Sequence, residues 1–138
     1  MAFKSYLKEA EEQKLNAISD FVFDALFFQK QVHVWHLQTG SYAQHMALGD
    51  FYTNIEDKID SIAEAITGMS RKLVTPSKTF AFNNGQSNLA TFVSALEAFK
   101  GRATALFEST GDLAGVNNTF AEVVALCDST IYKLKNLQ

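Results

Sequence analysis

His33, His36 and His45 are the three histidines of the chain, and all of them lie in the stretch QVHVWHLQTGSYAQH. A little further on, YTNIEDKIDSIAEAI carries Glu56, Asp60 and Glu64 at i, i+4 and i+8, which stacks the three carboxylates along one side of a helix. Each group alone has a plainer reading: acids off an apolar stripe form a solvated face, and helical histidines serve as core or surface residues. Together they offer two imidazoles beside a short turn and two carboxylates one helical turn apart. That nitrogen-and-oxygen set suits iron and also accepts zinc or manganese. Asp60 and Glu64 fall roughly 120–160° round the helix from its isoleucine stripe, on a face shared with Tyr42 and Met46. A metal site using them therefore lies between subunits. Glu56 and Asp57 could draw cations towards it, or form a solvated face.

Helices must position these groups. Leu48, Tyr52, Ile55, Ile59, Ile62 and Ile66 step by four and three, as do Leu89, Phe92, Leu96, Phe99, Ala103 and Leu106, and then Phe120, Val124, Cys127, Ile131 and Leu134. The single proline, Pro76, and the Asn84-Gly85 pair mark residues 74–86 as the main loop, while Gly40, Gly111 and Gly115 punctuate the rest. Four helical segments follow, near 14–38, 41–72, 87–108 and 117–136, after a short N-terminal helix or arm. Ser87 or Asn88, and Asn117 or Asn118, are the candidate N-caps. The expected fold is an all-α, up-down four-helix bundle in one domain spanning 1–138. Short turns make antiparallel neighbours of the first and last pairs, and the middle connection either crosses the bundle or wanders.

The first segment is apolar nearly all round. Phe21, Ala25, Phe28, Val32 and Trp35 form one stripe, and Val22, Phe23, Leu26, Phe27, Val34 and Leu37 cover much of the remainder. A helix of this kind is buried on more than one side. Its outer face is expected to meet another subunit, the alternative being cover by the N-terminal arm.

Composition narrows the classes of function. With 138 residues, 47% hydrophobic and a net charge of −3, the chain has the makings of one real core and no basic patch for nucleic acid or an anionic membrane. No apolar run reaches a membrane span and no signal peptide opens the chain. The lone Cys127 sits at core spacing, so a cytoplasmic home is expected, and the Asn117 sequon carries no weight. A hydrolase finds no support: there is neither a Gly-x-Ser-x-Gly elbow nor a phosphate-cradling glycine loop. An intra-bundle diiron site is disfavoured because no Glu-x-x-His pair occurs.

The run His36, His45, Asp60 and Glu64, H-x8-H-x14-D-x3-E, resembles the ferroxidase motif of the Dps family, small ferritin-like proteins of starved bacteria. HLQTGSYAQH and DFYTNIEDKIDSIAEAI carry the likeness over about thirty residues. It implies a ferritin-like bundle and a twelve-subunit shell. It also implies an iron site in which His36 and His45 of one subunit meet Asp60 and Glu64 of its two-fold partner, where Fe(II) is oxidised by peroxide or oxygen and stored. Here Trp35 precedes a histidine rather than following it, and the turn after His36 is shorter than the family's. Family spacing between the histidines would select His33 with His45, whereas position before the turn selects His36, so His33 stays the alternative ligand. The chain lacks the lysine-rich tail some members use on DNA. It looks closer to divergent small ferritin-like proteins, including those carried by bacteriophages, for which the host cytoplasm would be the location. The competing expectation is a ferritin-like assembly or interaction module, viral in one version, with structural metal or none and with apolar helix one as its working surface.

Overall fold

The computed structural model describes residues 2–69, 73–83 and 88–137, the side chain of Leu7 excepted. It is all helix and irregular chain: α1 (Ala2–Gln38), α2 (Tyr42–Gly68), α3 (Leu89–Ser109) and α4 (Ala114–Asn136). Among the described residues no helix is long and apolar enough to cross a membrane.

The periodic stripes are the core. Leu48, Ile55, Ile59, Ile62 and Ile66 of α2 are buried, joined by Phe51, against Phe92, Leu96, Phe99 and Ala103 of α3 and Phe120, Val123, Cys127 and Leu134 of α4. In α4 the buried line runs through Val123 and Thr130, leaving the expected Val124 and Ile131 half-buried. Aromatic rings fill the centre. Phe99 stacks on Phe28 at 4.7 Å and on Phe21 at 5.2 Å, and Phe28 meets Phe51 edge-on at 5.7 Å. Such offset and edge contacts add to the area term for large rings.

Helix boundaries moved where capping chemistry differs from the sequence expectation. Ser41 caps α2 by accepting from the Gln44 N–H, and Asn88 caps α3 by accepting from the Thr91 N–H. Ser87, the alternative cap, lies outside the described residues, as do the last expected residues of the second segment, 70–72. In α4 the helix starts at Ala114 without a side-chain cap, and Asn117 is inside it. The Asn117 amide instead donates backwards to the Phe107 carbonyl (2.7 Å) and the Thr110 hydroxyl, tying the turn to the end of α3. The N-terminal arm is helical and continuous with α1. At about 1.5 Å per residue, the 37 residues of α1 span roughly 55 Å against about 40 Å for α2. The leading turns of α1, with Phe3 and Tyr6 exposed, run ahead of the core that begins at Leu15.

The middle connection crosses the bundle. Its residues meet α1 in rising order: Val74 exchanges hydrogen bonds with the Ser19 hydroxyl, Lys78 pairs with Asp24, Phe80 and Phe82 lie on Phe27, and Asn83 reaches Gln31 and Trp35. The strap therefore runs beside α1 in the same direction and delivers α3 to the far end, where Phe92 packs on Trp35. α3 then descends antiparallel to α1, through Phe99 against Phe28 to Arg102 beside Asp24. α4 returns, placing Lys133 opposite Asp50 of α2. This up-down-down-up order with a long crossover is the ferritin-like arrangement. It also explains part of the apolar surplus of α1. Phe27 packs under the strap, and the buried polar Ser19 and Gln31 are satisfied by strap backbone, while Leu26 and Leu37 remain exposed.

Candidate metal-ligand cluster

The α1–α2 turn, Thr39-Gly40-Ser41, sets the two histidine-bearing segments side by side. The Thr39 N–H closes on the Trp35 carbonyl, the Thr39 hydroxyl bonds Gln44 and accepts from the Ser41 N–H. The hairpin that results brings His36, near the end of α1, against His45, in the second turn of α2.

Their contact is reciprocal. His36 Nδ1–H donates to the His45 carbonyl oxygen at 2.6 Å, and His45 Nδ1–H donates to the His36 carbonyl oxygen at 2.8 Å. A carbonyl can only accept, so both rings carry a proton on Nδ1, and in the neutral form of this tautomer the lone pair lies on Nε2. Binding one nitrogen to a backbone carbonyl is how a ligating histidine is held in a single tautomer and orientation. The His36 carbonyl lies in the last turn of α1 and has no intrahelical donor, so the His45 bond also satisfies a helix end.

The two rings stack, with centroids 3.6 Å apart and planes 21° from parallel. Lone pairs in nearly parallel planes that far apart cannot both reach one ion over metal–nitrogen bonds of about 2.1 Å. As arranged, the pair offers two separate monodentate ligands. His33 completes a histidine corner: its ring is 6.0 Å from His36 and lies flat on Tyr52 of α2 at 4.1 Å, and Tyr52 meets His36 edge-on at 5.1 Å. Gln29, buried on α1, donates to the Tyr52 carbonyl at 2.9 Å and fixes that turn of α2. All three histidines are half-buried.

The expected carboxylates stand elsewhere within the subunit. Asp60 is fifteen residues beyond His45 on the same helix, about 22 Å along its axis. The Asp60 and Glu64 side chains are exposed and make no hydrogen bond or ion pair among the described residues, as is also true of the Glu56 side chain. Within one subunit no group of three or more His, Cys, Asp or Glu could hold a metal ion among those residues. So the structure joins His36 to His45, with His33 adjacent, and leaves Asp60 and Glu64 apart from them. Gly49 was not singled out in the sequence and Tyr52 entered only as a member of the apolar stripe, although both lie on the His45 face of α2, at i+4 and i+7, a signal the spacing contained.

Cys127 takes no part. It is fully buried in α4, and burial pushes its thiol up to about 12, which keeps it protonated and unreactive at neutral pH.

Comparison with solved structures supports the architecture. The chain is similar to the crystal structure of the DPS protein from Vibrio cholerae O1, described as a member of a broad superfamily of ferritin-like diiron-carboxylate proteins. The TM-score is 0.70 at 15% identity, covering 91% of this chain and 89% of that one. At that identity the likeness speaks for the fold. No curated protein matches in sequence. A family model matches residues 36–134, beginning at the first histidine of the reciprocal pair, and on that match the chain belongs to DUF5856, a family of unknown function.

Proposed function

We propose that this protein binds Fe(II) as a substrate and oxidises it at sites shared between two copies. His36 and His45 of one subunit would face Asp60 and Glu64 of an antiparallel partner, with His33 as substitute for His36. One observation carries the reading: a histidine pair in one tautomer stands at one end of α2, and unpartnered carboxylates stand fifteen residues away towards the other. An antiparallel second copy whose two-fold axis passes beside residues 52 and 53, midway between 45 and 60, would set each end against its complement. Closed, symmetric association of this kind is the commonest route to a shared site.

The chemistry asks little of the protein beyond ligands. Two Fe(II) ions each lose one electron, peroxide takes both together with two protons, and two Fe(III) and two waters result. Oxygen is the alternative oxidant. Paired carboxylates favour the more highly charged ferric ion, while neutral imidazoles hold the ferrous one. Zinc or manganese could occupy the same donors. Oligomers of this chain, a dimer at least and a dodecameric shell in the fullest form, would supply the partner carboxylates, and a closed shell would hold the mineral. A cytoplasmic location suits that role.

The test is peroxide-driven Fe(II) oxidation followed by ferric absorbance, with Asp60→Ala and His45→Ala alongside light scattering. Wild-type protein faster than buffer, with both variants near the buffer rate, supports the reading. A wild type no faster than buffer ends it. A second reading has its own observation: the reciprocal bonds satisfy both Nδ1 groups without any metal. On that reading the histidines close the hairpin and the exposed Leu26 and Leu37 serve an assembly module. Association without iron oxidation would favour it.

A further inference from the structure

An α-helical carbonyl at residue i accepts from the N–H of residue i+4, so residue i+4 roofs it. A side chain reaching that oxygen from outside must pass the Cβ of its roof. The carbonyl that His36 uses belongs to His45, and its roof is Gly49. A Cβ built on Gly49 would lie 3.0 Å from His36 Cε1 and 3.1 Å from His36 Nδ1, whereas the other described glycines have nothing within 4 Å of theirs. The encroaching atoms belong to a ring stacked on His45 and met edge-on by Tyr52. It cannot retreat towards its donor bond, which is already 2.6 Å, nor towards His45, stacked at 3.6 Å, and Tyr52 stands against it edge-on.

From this we infer that Gly49 is a positioning residue: its missing side chain forms the slot that holds the His36 imidazole against α2 as its Nδ1–H tautomer. The slot itself rests on the hairpin contacts. Only its consequence, that Nε2 of His36 is kept ready for a metal ion, rests on the function proposed above. Glycine in mid-helix is otherwise a disadvantage, because alanine loses less backbone entropy there. Gly101, in mid-α3, has open space at its Cβ position, so a mid-helix place alone decides nothing; Gly49 differs in having a single ring as its neighbour.

The experiment is a double-substitution cycle with a spectroscopic reading. Gly49→Ala in a His36→Ala background should raise Tm by about 4 °C, because the better helix former then meets an empty slot. In the wild-type background the same change should leave Tm flat or lower it. Long-range 1H–15N spectra of Gly49→Ala should show His36 losing its Nδ1–H signature, a change that a merely weakened helix would not produce in that one ring. Co(II), a redox-inert probe of the ligand, should bind about tenfold more weakly to Gly49→Ala. If Tm rises equally in both backgrounds and the His36 tautomer persists in Gly49→Ala, the slot is not needed and the inference fails. If the cycle and the tautomer shift as expected while Co(II) binding is unaltered, Gly49 positions His36 as inferred. His36 is then not a metal ligand, and the functional reading must rest on His33 in its place; it falls if His33→Ala leaves Co(II) binding unaltered as well.

Discussion

The two ends of α2 differ in how far their chemistry is completed inside one subunit. At the N-terminal end, His45, Gly49 and Tyr52 are each engaged by α1: two reciprocal imidazole–carbonyl bonds, a ring seated over a glycine, and a histidine stacked on a tyrosine. Towards the C-terminal end, the carboxylates of Glu56, Asp60 and Glu64 stand in solvent with no hydrogen bond or ion pair among the described residues. Other surface acids divide: Asp24 pairs with Lys78 and Arg102, Asp112 with Lys14, Asp128 with Lys100 and Asp50 with Lys133, whereas Asp20, Glu108 and Glu122 are exposed and have no side-chain partner among the described residues. A helix finished at one end and unpaired towards the other is what a shared site between antiparallel copies requires. A solvated acidic face would give the same unpaired acids. The contrast therefore has to be broken experimentally, by asking whether the two ends act together in function while remaining separate in stability.

The largest effect should come from the open end. Replacing Asp60 and Glu64 together by Asn and Gln should lower peroxide-driven Fe(II) oxidation by about 100-fold. Thermal stability should stay within about 0.5 kcal/mol, as for exposed residues without partners. Stopped-flow absorbance and calorimetry on the same preparation read both quantities. A large stability loss would mean that the carboxylates do structural work within the subunit and would undo the contrast.

Next comes a pH effect in the opposite half of the bundle, where Cys127 is the titrating group. Its folded value is raised to about 12 from the ordinary 9.0 by burial. The unfolded thiol therefore gives up its proton first, and stability present below pH 9 is lost progressively between pH 9 and pH 12. The slope approaches about 1.4 kcal/mol per pH unit in that window. Denaturation midpoints for wild type and Cys127→Ala should converge as the pH climbs through it. At pH 7.5 a thiol reagent should label the native protein only through unfolding.

The finished end should show a smaller cost. His45→Ala removes one hydrogen bond of the pair, leaves the His36 carbonyl to water and unstacks the rings, for about 1–2 kcal/mol. Iron oxidation should fall as far as in the carboxylate variant. Equal functional loss with unequal stability loss would sharpen the contrast into two halves of one site. Unequal functional loss would separate them.

How much of this was legible beforehand follows the same division. The bundle was readable because burial repeats every three or four residues, and the α2 stripe from Leu48 to Ile66 is buried almost as spaced. Asp60 and Glu64 were readable as a pair because i and i+4 share a face on any helix. The reciprocal histidine bonds were not readable, since they depend on the register between two helices, which the three-residue turn sets through Thr39 and Ser41 contacts. The crossover stood only as one of two alternatives for a similar reason. Val74, Phe80 and Asn83 bind α1 through backbone groups and single rings with no period. Without them Phe27 looks like surplus apolar surface meant for another subunit. Asn117 misled as a cap because its amide turns back to Phe107, a choice made by the α3–α4 turn rather than by its own sequence neighbours.

The strap supplies the smallest and most local test. Asn83 is held three times: its N–H donates to the Gln31 side-chain oxygen at 2.6 Å, and its carbonyl accepts from Trp35 Nε1–H at 3.2 Å and from the Gln31 side-chain amide at 3.4 Å. Trp35→Phe removes the Trp35 bond, keeps a ring against Phe92, and leaves Asn83 tied by both bonds to Gln31. The expected cost is about 1 kcal/mol, one net hydrogen bond plus a small loss of ring area. Trp35 is the residue immediately before His36, so the same substitution asks whether the histidine pair depends on the strap. The reciprocal bonds run between α1 and α2 and touch no strap residue, so the His36 and His45 Nδ1–H signals should persist in Trp35→Phe. Their loss would mean that the corner is completed from three segments rather than two, and that α3, delivered by the strap, has a say in the geometry of the histidines.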